Sequence, residues 1–209
     1  MTIIVTAGPT REYLDPVRFL SNPSTGKMGF AVASEAARRG FATTLVAGPV
    51  SLKTPNGVRR IDVVTAREML AATRRAVEAE RGRVVLIATA AVADWRPAVC
   101  ARRKLKKAEM PSTLRLVRNP DILKSLSRRQ IVRVGFAAET GDNLDEALRK
   151  CREKHLAFVV ANDVTEAGCG FGTDTNRVAF VFPNGRVVRF PLVTKQAVAR
   201  RILDAVSRL

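Results

Sequence analysis

Strand-like and helix-like segments alternate along this chain, and that rhythm restricts the fold more than any other feature. Residues 2–6 are a short β-branched run, closed by the turn residues Ala7-Gly8-Pro9-Thr10. Residues 27–39 read as a helix with small and apolar contacts, and Gly40 is placed as its C′ residue. Residues 42–46 supply the next strand, which completes the opening of a doubly wound sheet. The pattern continues with a helix at 66–80, a buried strand at 84–88 and a helix at 120–126. That last helix is expected to have Asn119 as N-cap and Pro120 in its first turn. A strand at 131–136, a helix at 143–154 and a strand at 157–160 follow. Runs at 178–182 and 186–190 flank Pro183-Asn184-Gly185 as a β-hairpin, and a helix at 195–206 closes the chain. The expected fold is α/β: a Rossmann-like, doubly wound, mostly parallel sheet with a late hairpin. No internal repeat or interdomain linker interrupts it, so residues 1–209 are read as one domain.

Two stretches break the rhythm, residues 9–25 and 93–119. They follow the first and the central strand, at the strand ends where open α/β sheets bind ligands. Irregular loops of this length in a compact domain are usually functional. The first ends in Ser24-Thr25-Gly26-Lys27-Met28-Gly29 at a helix start, where backbone N–H groups and hydroxyls suit phosphate. It matches neither GxxxxGK[ST] nor GxGxxG, so no P-loop or dinucleotide label applies. The second carries Asp94, placed to meet magnesium or a ribose hydroxyl, and the cations Lys104, Lys106 and Lys107, placed to meet a triphosphate. By composition alone that segment reads equally well as a basic loop on a basic protein.

Net charge is +17, with 27 arginines against 9 lysines. The basic pairs Arg38-Arg39, Arg74-Arg75, Arg128-Arg129 and Arg200-Arg201 are scattered over helix surfaces. Aromatic residues are 5% and do not interleave with the basic ones, which argues against nucleic acid as the partner. Cys100, Cys151 and Cys169 are far apart, with His155 as the single histidine, so a zinc site or disulfide framework is not indicated. His155 itself reads as a helix-end residue rather than a general base. The apolar run at 84–93 is too short to span a bilayer, and the start of the chain lacks a signal-peptide pattern. A cytoplasmic location is expected.

Taken in order, the motifs form a recognisable set. They are Thr6-Ala-Gly-Pro-Thr-Arg-Glu12, Asp15-Pro-Val-Arg-Phe-Leu-Ser-Asn22, Ser24-Thr-Gly-Lys-Met-Gly29, Ala90-Ala-Val-Ala-Asp94, Lys104-Leu-Lys-Lys107, Asn119-Pro-Asp-Ile122, Gly135-Phe-Ala-Ala-Glu-Thr140 and Ala161-Asn-Asp163. This series resembles bacterial phosphopantothenoylcysteine synthetase over nearly the whole chain.

The resemblance implies a two-step ligase of coenzyme A biosynthesis. The carboxylate of 4'-phosphopantothenate would attack the α-phosphate of CTP, giving an acyl-cytidylate and pyrophosphate. The amine of L-cysteine would then attack the activated carbonyl and expel CMP. Asn22, Lys104 and Arg18 match the family's catalytic positions. Ala88, Thr89, Ala90, Asp94, Lys104, Asn119, Pro120, Asp121, Ile122, Phe136, Lys150 and Lys154 match its nucleotide pocket. Arg18, Asn22, Ser24, Gly26, Lys27, Met28 and Ala90 match its substrate loop. Mg2+ is implied as a companion of the nucleotide phosphates, with no metal ligand assigned to the chain. The bacterial-like Lys104–Lys107 motif favours CTP over the ATP used by eukaryotic relatives. A homodimer through the late hairpin, and a decarboxylase partner for the next pathway step, are also implied. The segment Gly168-Cys-Gly-Phe-Gly172 is expected near the substrate site. Pro23, Thr25 and Trp95 depart from the usual bacterial residues.

Two other functions stay in play on the residues alone. An NAD(P)-binding reductase fits the sheet but lacks the glycine fingerprint. A nucleic-acid binder fits the charge but not its distribution.

Overall fold

The computed structural model describes residues 1–110, 112–126, 131–141 and 144–209. Its centre is an eight-stranded sheet. In chain order the strands are β1 (Thr2–Ala7), β2 (Ala42–Ala47), β3 (Val58–Asp62), β4 (Val84–Ala88), β5 (Ile131–Glu139), β6 (Phe158–Asp163), β7 (Ala179–Val181) and β8 (Val187–Arg189). Their spatial order is β3-β2-β1-β4-β5-β6-β7-β8. The first six are parallel, and β7 and β8 add antiparallel pairings at one edge. The order reverses between β1 and β4, which opens a crevice at their C-terminal ends.

Alternation along β1 explains the layering. Ile3, Val5 and Ala7 face one side, where they pack with α1 (Lys27–Arg38) and α4 (Lys195–Ser207). Ile4 faces the other, with Met69 and Ala72 of α2 (Ala66–Glu78). Helix α3 (Leu144–Glu153) covers the same side further along, through Ala147 and Cys151. Both faces of β1 are buried, as expected for a parallel sheet between two helical layers. Glu35 on α1 accepts from Arg38 and Arg39, and Arg39 also pairs with Asp204 of α4. Arg39 is therefore a tie between two helices rather than a solvated surface cation.

Most expected elements are present, with four differences. Residues 120–126 form a single turn, not a helix: Asp121 caps it by accepting from the Lys124 N–H, and the Ser125 N–H returns to the Asp121 carbonyl. Asn119 is no N-cap; its amide ties two loops together, as described below. Strand β3 was not expected, because Val58-Arg-Arg-Ile-Asp lacks an apolar run, and it survives as an edge strand beside β2. Each irregular loop contains a short antiparallel ribbon, Arg11–Tyr13 with Phe19–Ser21 and Trp95–Pro97 with Leu116–Arg118. The expected Asn143 start of α3 and the Arg128-Arg129 pair lie outside the described residues. The hairpin turns at Gly185, whose φ of 86° suits glycine. His155 follows α3 with φ 50°, and its N–H bonds the Arg152 carbonyl, so it does end the helix. Among the described residues no helix is long and apolar enough to cross a membrane.

Candidate active site

The C-terminal ends of β1, β4 and β5 open into a cleft of about 530 Å3. Both irregular loops contribute to its wall, and side chains tie the first to the second and to the residues just before it. The Asn22 amide donates to the carbonyls of Ala91 and Val92 at 3.1 and 3.3 Å. Thr10 accepts from the Ala93 N–H at 3.0 Å, and Asn119 donates to the Ala93 carbonyl at 2.8 Å. Asn119 also accepts from Arg96 at 3.0 Å.

Asp15 organises the outer part of the first loop. It is fully buried and accepts from the N–H groups of Val17, Arg18 and Leu105. Burial pushes its carboxyl up, but those N–H groups and the Arg18 guanidinium outweigh burial and hold it below the ordinary value. Arg18 pairs with Asp15 at 2.9 Å and donates to the Leu105 carbonyl. That ties the first loop to the basic segment that carries Lys104. Neither Arg18 nor Lys104 lines the cleft, and Lys104 is exposed. The remaining residues matched from the sequence do line it.

At one end of the cleft the wall is built from side-chain ion pairs. Lys154 pairs with Asp121 at 2.8 Å, and Lys150 with Glu139 at 2.6 Å. Burial would raise the Asp121 carboxyl, but the Lys154 ammonium and the Lys124 N–H hold it below the usual range. Phe136, Ile122 and Pro120 add an apolar surface beside these charges. One turn of α3 separates the two lysines, so both reach the same wall.

The other end is built from backbone. Gly26 begins α1 in the left-handed region with φ 79°, and no side chain caps that helix. The first-turn N–H groups are therefore available to an anion. Gly29 lets the helix approach the strand ends: a Cβ there would lie 2.3 Å from Thr89 Oγ1 and 2.4 Å from Ala7 Cβ. Lys27 donates to the Gly172 carbonyl and pairs with Asp174, both at 2.7 Å. Lys195 donates to the carbonyls of Gly170 and Thr173 at 3.0 and 2.7 Å. The glycine-rich segment is thus clamped at the cleft, with Gly170 and Phe171 in the lining.

Asn162 of the Ala161-Asn-Asp163 motif and Phe171 of the glycine-rich segment expected near the substrate site also line the cleft, whereas Asn176 and Lys195 line it without having been singled out from the sequence. One signal was available for Lys195. A lysine at the first residue of a helix opposes the macrodipole, and both α1 and α4 begin this way. Among the described residues no group of three or more His, Cys, Asp or Glu side chains could hold a metal ion.

Comparison with known proteins bears out the resemblance read from the motifs. The family described as DNA/pantothenate metabolism flavoprotein C-terminal domain matches residues 1–209. The coenzyme A biosynthesis bifunctional protein CoaBC of Escherichia coli strain K12 is 44% identical over 212 aligned positions, covering 99% of this chain and 51% of that protein. Its Bacillus subtilis counterpart is 43% identical over 210 positions, again 99% of this chain and 51% of that protein. The chain thus spans about half the length of these relatives. A crystal structure of the C-terminal domain of a CoaBC protein matches with a TM-score of 0.81 and 39% identity, covering 98% of this chain and 93% of that one. A Cab2 mutant in complex with phosphopantothenate-cysteine shares the fold at a TM-score of 0.79 and 16% identity, covering 99% of this chain and 85% of that one.

Proposed function

The chain belongs to the DNA/pantothenate metabolism flavoprotein C-terminal domain family, and from that premise we propose that it is a phosphopantothenate–cysteine ligase of coenzyme A biosynthesis. In this reading residues 1–209 are one synthetase domain. The observation that carries it is the convergence of both irregular loops on one cleft, with Asn22 hydrogen-bonded across to Ala91 and Val92. The names of the two CoaBC relatives and of the CoaBC domain structure support the pathway assignment.

The chemistry follows from what a carboxylate lacks. It is a poor electrophile until one oxygen becomes a good leaving group. CTP supplies that group: the 4'-phosphopantothenate carboxylate attacks the α-phosphate, and pyrophosphate departs. L-cysteine's amine then forms the C–N bond as CMP leaves. The nucleoside lies at the ion-paired end, between Phe136 and the Lys150–Lys154 wall. Asn22, tied to Ala91 and Val92 in the cleft wall, is the residue at which the acyl phosphate would form. Both amide protons of Asn22 are taken by carbonyls, so its own oxygen is the group left to meet a ligand. Lys104 stabilises the α-phosphate charge once its exposed arm folds down, and Arg18 holds the base of that arm. Mg2+ would accompany the triphosphate and neutralise its charge; Asp94 is an acidic residue of the cleft wall with no ion pair among the described residues. A homodimer formed through edge strand β8, a cytoplasmic location and a decarboxylase acting on the product complete the proposal.

The test is pyrophosphate release with 4'-phosphopantothenate, comparing CTP, ATP, GTP and UTP with and without cysteine. The reading expects CTP to be preferred and cysteine to be needed for sustained turnover. No pyrophosphate release with any nucleotide overturns it.

A further inference from the structure

Thr10 lies outside the cleft lining, yet it meets both pieces of chain on which the position of Asn22 depends. The residue is fully buried, and its hydroxyl accepts from the Ala93 N–H at 3.0 Å. That N–H belongs to the same peptide as the Val92 carbonyl, which accepts from the Asn22 amide at 3.3 Å. A trans peptide is planar, so its N–H and C=O point in opposite directions. Holding the N–H therefore sets the direction of the carbonyl. On its other side, the Thr10 carbonyl accepts from the Ser21 hydroxyl at 2.8 Å, and Ser21 is the residue before Asn22. Three hydrogen bonds and the chain itself thus close a ring through Thr10, the 92–93 peptide, Asn22 and Ser21.

The ring stands on a firm base. The Gly8 carbonyl accepts from the Ala91 N–H at 2.9 Å, and Pro9 forms a parallel bridge with Ala91. A Cβ on Gly48 would collide with the Pro9 carbonyl, so residues 8–10 are wedged against the next strand end. The Ala93 carbonyl is held separately by the Asn119 amide. Two carbonyls facing Asn22 admit only its amide nitrogen, which leaves its oxygen free for a ligand. Were the 92–93 peptide to turn, one of those carbonyls would be lost. The Asn22 amide could then rotate about its last torsion, whose wells are broad.

Building on the ligase reading, we infer that Thr10 is a positioning residue for the second step: through the 92–93 peptide and Ser21 it holds Asn22 in the orientation that meets the acyl-cytidylate. It acts through Asn22 and not on the ligand itself. A role in packing alone would make the opposite demand on this side chain. Packing needs the shape and methyl group of threonine, whereas positioning needs its hydroxyl oxygen.

Two substitutions separate these demands. Thr10→Val keeps the shape and removes the acceptor; Thr10→Ser keeps the acceptor and removes the methyl group. Rapid quench of a single turnover with CTP, 4'-phosphopantothenate and L-cysteine resolves the two steps. Thr10→Val should slow the cysteine-dependent step about tenfold, with the pyrophosphate burst and the KM values for CTP and 4'-phosphopantothenate unchanged. Thr10→Ser should restore the rate of the unaltered protein. In an Asn22→Asp background Thr10→Val should cost nothing further, because the contact it supports is already gone. Ser21→Ala, at an exposed residue, should slow the same step about threefold. An unaltered cysteine-dependent rate in Thr10→Val overturns the inference. So does a slow Thr10→Ser beside a fast Thr10→Val, or a full additive loss on top of Asn22→Asp. Should Thr10→Val fail to fold, Ser21→Ala decides, and an unaltered rate there overturns the inference. Absence of pyrophosphate release from the unaltered protein overturns the ligase reading, and this inference with it.

Discussion

The two ends of the cleft are held by different means. At the α3 end, lysines meet carboxylates: Lys154 with Asp121 and Lys150 with Glu139. At the α1 end, lysines mostly grip main-chain carbonyls of the segment around Gly170–Thr173, and a helix start supplies bare N–H groups. Ion pairs can be exchanged for ligand charge, since a phosphate can take a lysine from a carboxylate at modest cost. Backbone cages cannot be exchanged so easily, because moving one lysine also moves the peptide it holds. On the proposed ligase reading, the α3 end is the one a nucleotide would renegotiate, and the α1 end the one that presents a fixed geometry.

Asn22, which belongs to neither set of lysine contacts, carries the largest expected effect. Asn22→Asp sets a carboxylate against the carbonyl oxygens of Ala91 and Val92. Cysteine-dependent turnover should fall about 100- to 1,000-fold, while a first burst of pyrophosphate persists and the acyl-cytidylate accumulates. Rapid quench of a single turnover measures both; turnover at the unaltered rate removes Asn22 from the mechanism.

Gly29→Ala tests the fixed end. The new methyl meets Thr89 Oγ1 and Ala7 Cβ well inside contact distance. Overpacking of this kind should destabilise the protein by about 1–3 kcal/mol, read as a lower urea midpoint at constant slope. Were the midpoint unchanged, the α1 start would have to be more yielding than its packing implies.

Acid probes the anchor of the same helix. The Arg38 hydrogen bond above all, against the opposing effect of burial and with help from Arg39, holds the Glu35 carboxyl down at about 2 from 4.5. A depressed carboxyl stabilises the folded state fully above the unfolded value of 4.5, and the contribution is lost as pH falls from there toward about 2. With Arg38 mostly solvated, the loss is about 2 kcal/mol. Denaturation midpoints between about pH 6 and pH 3 should fall, and Glu35→Gln should flatten that fall.

The exchangeable end predicts the smallest change. Lys154→Met should raise the nucleotide KM about tenfold and leave the cysteine KM unaltered. A shift in the cysteine KM instead would take Lys154 out of the nucleotide wall.

Legibility in the sequence followed the same division. Lys150 and Lys154 were legible through the resemblance: helical spacing puts them on one face, but by spacing alone they read as two solvated helix lysines. Asn22, Asp94 and the Asn119–Ile122 motif stood out by their order along the chain, and all line the cleft. Arg18 and Lys104 were legible by motif, yet their placement beside Asp15 and Leu105, outside the lining, was not. Asn119 shows why a local rule can fail. It looked like an N-cap before proline, but Ala93 and Arg96, more than twenty positions away, claim its amide. Asn176 and Lys195 carried little local signal at all.

By itself the sequence determined the sheet, its layers and the strand ends where a ligand must lie, because periodicity and turn residues act over a few neighbours. Tertiary structure alone decided which distant groups share a wall of the cleft, which cations stay outside it, and that the Asn176 side-chain oxygen is left without a hydrogen-bond partner among the described residues. Those outcomes depend on contacts between segments far apart in the chain, such as Lys27 with Asp174 across 147 positions, and no local pattern encodes such a distance.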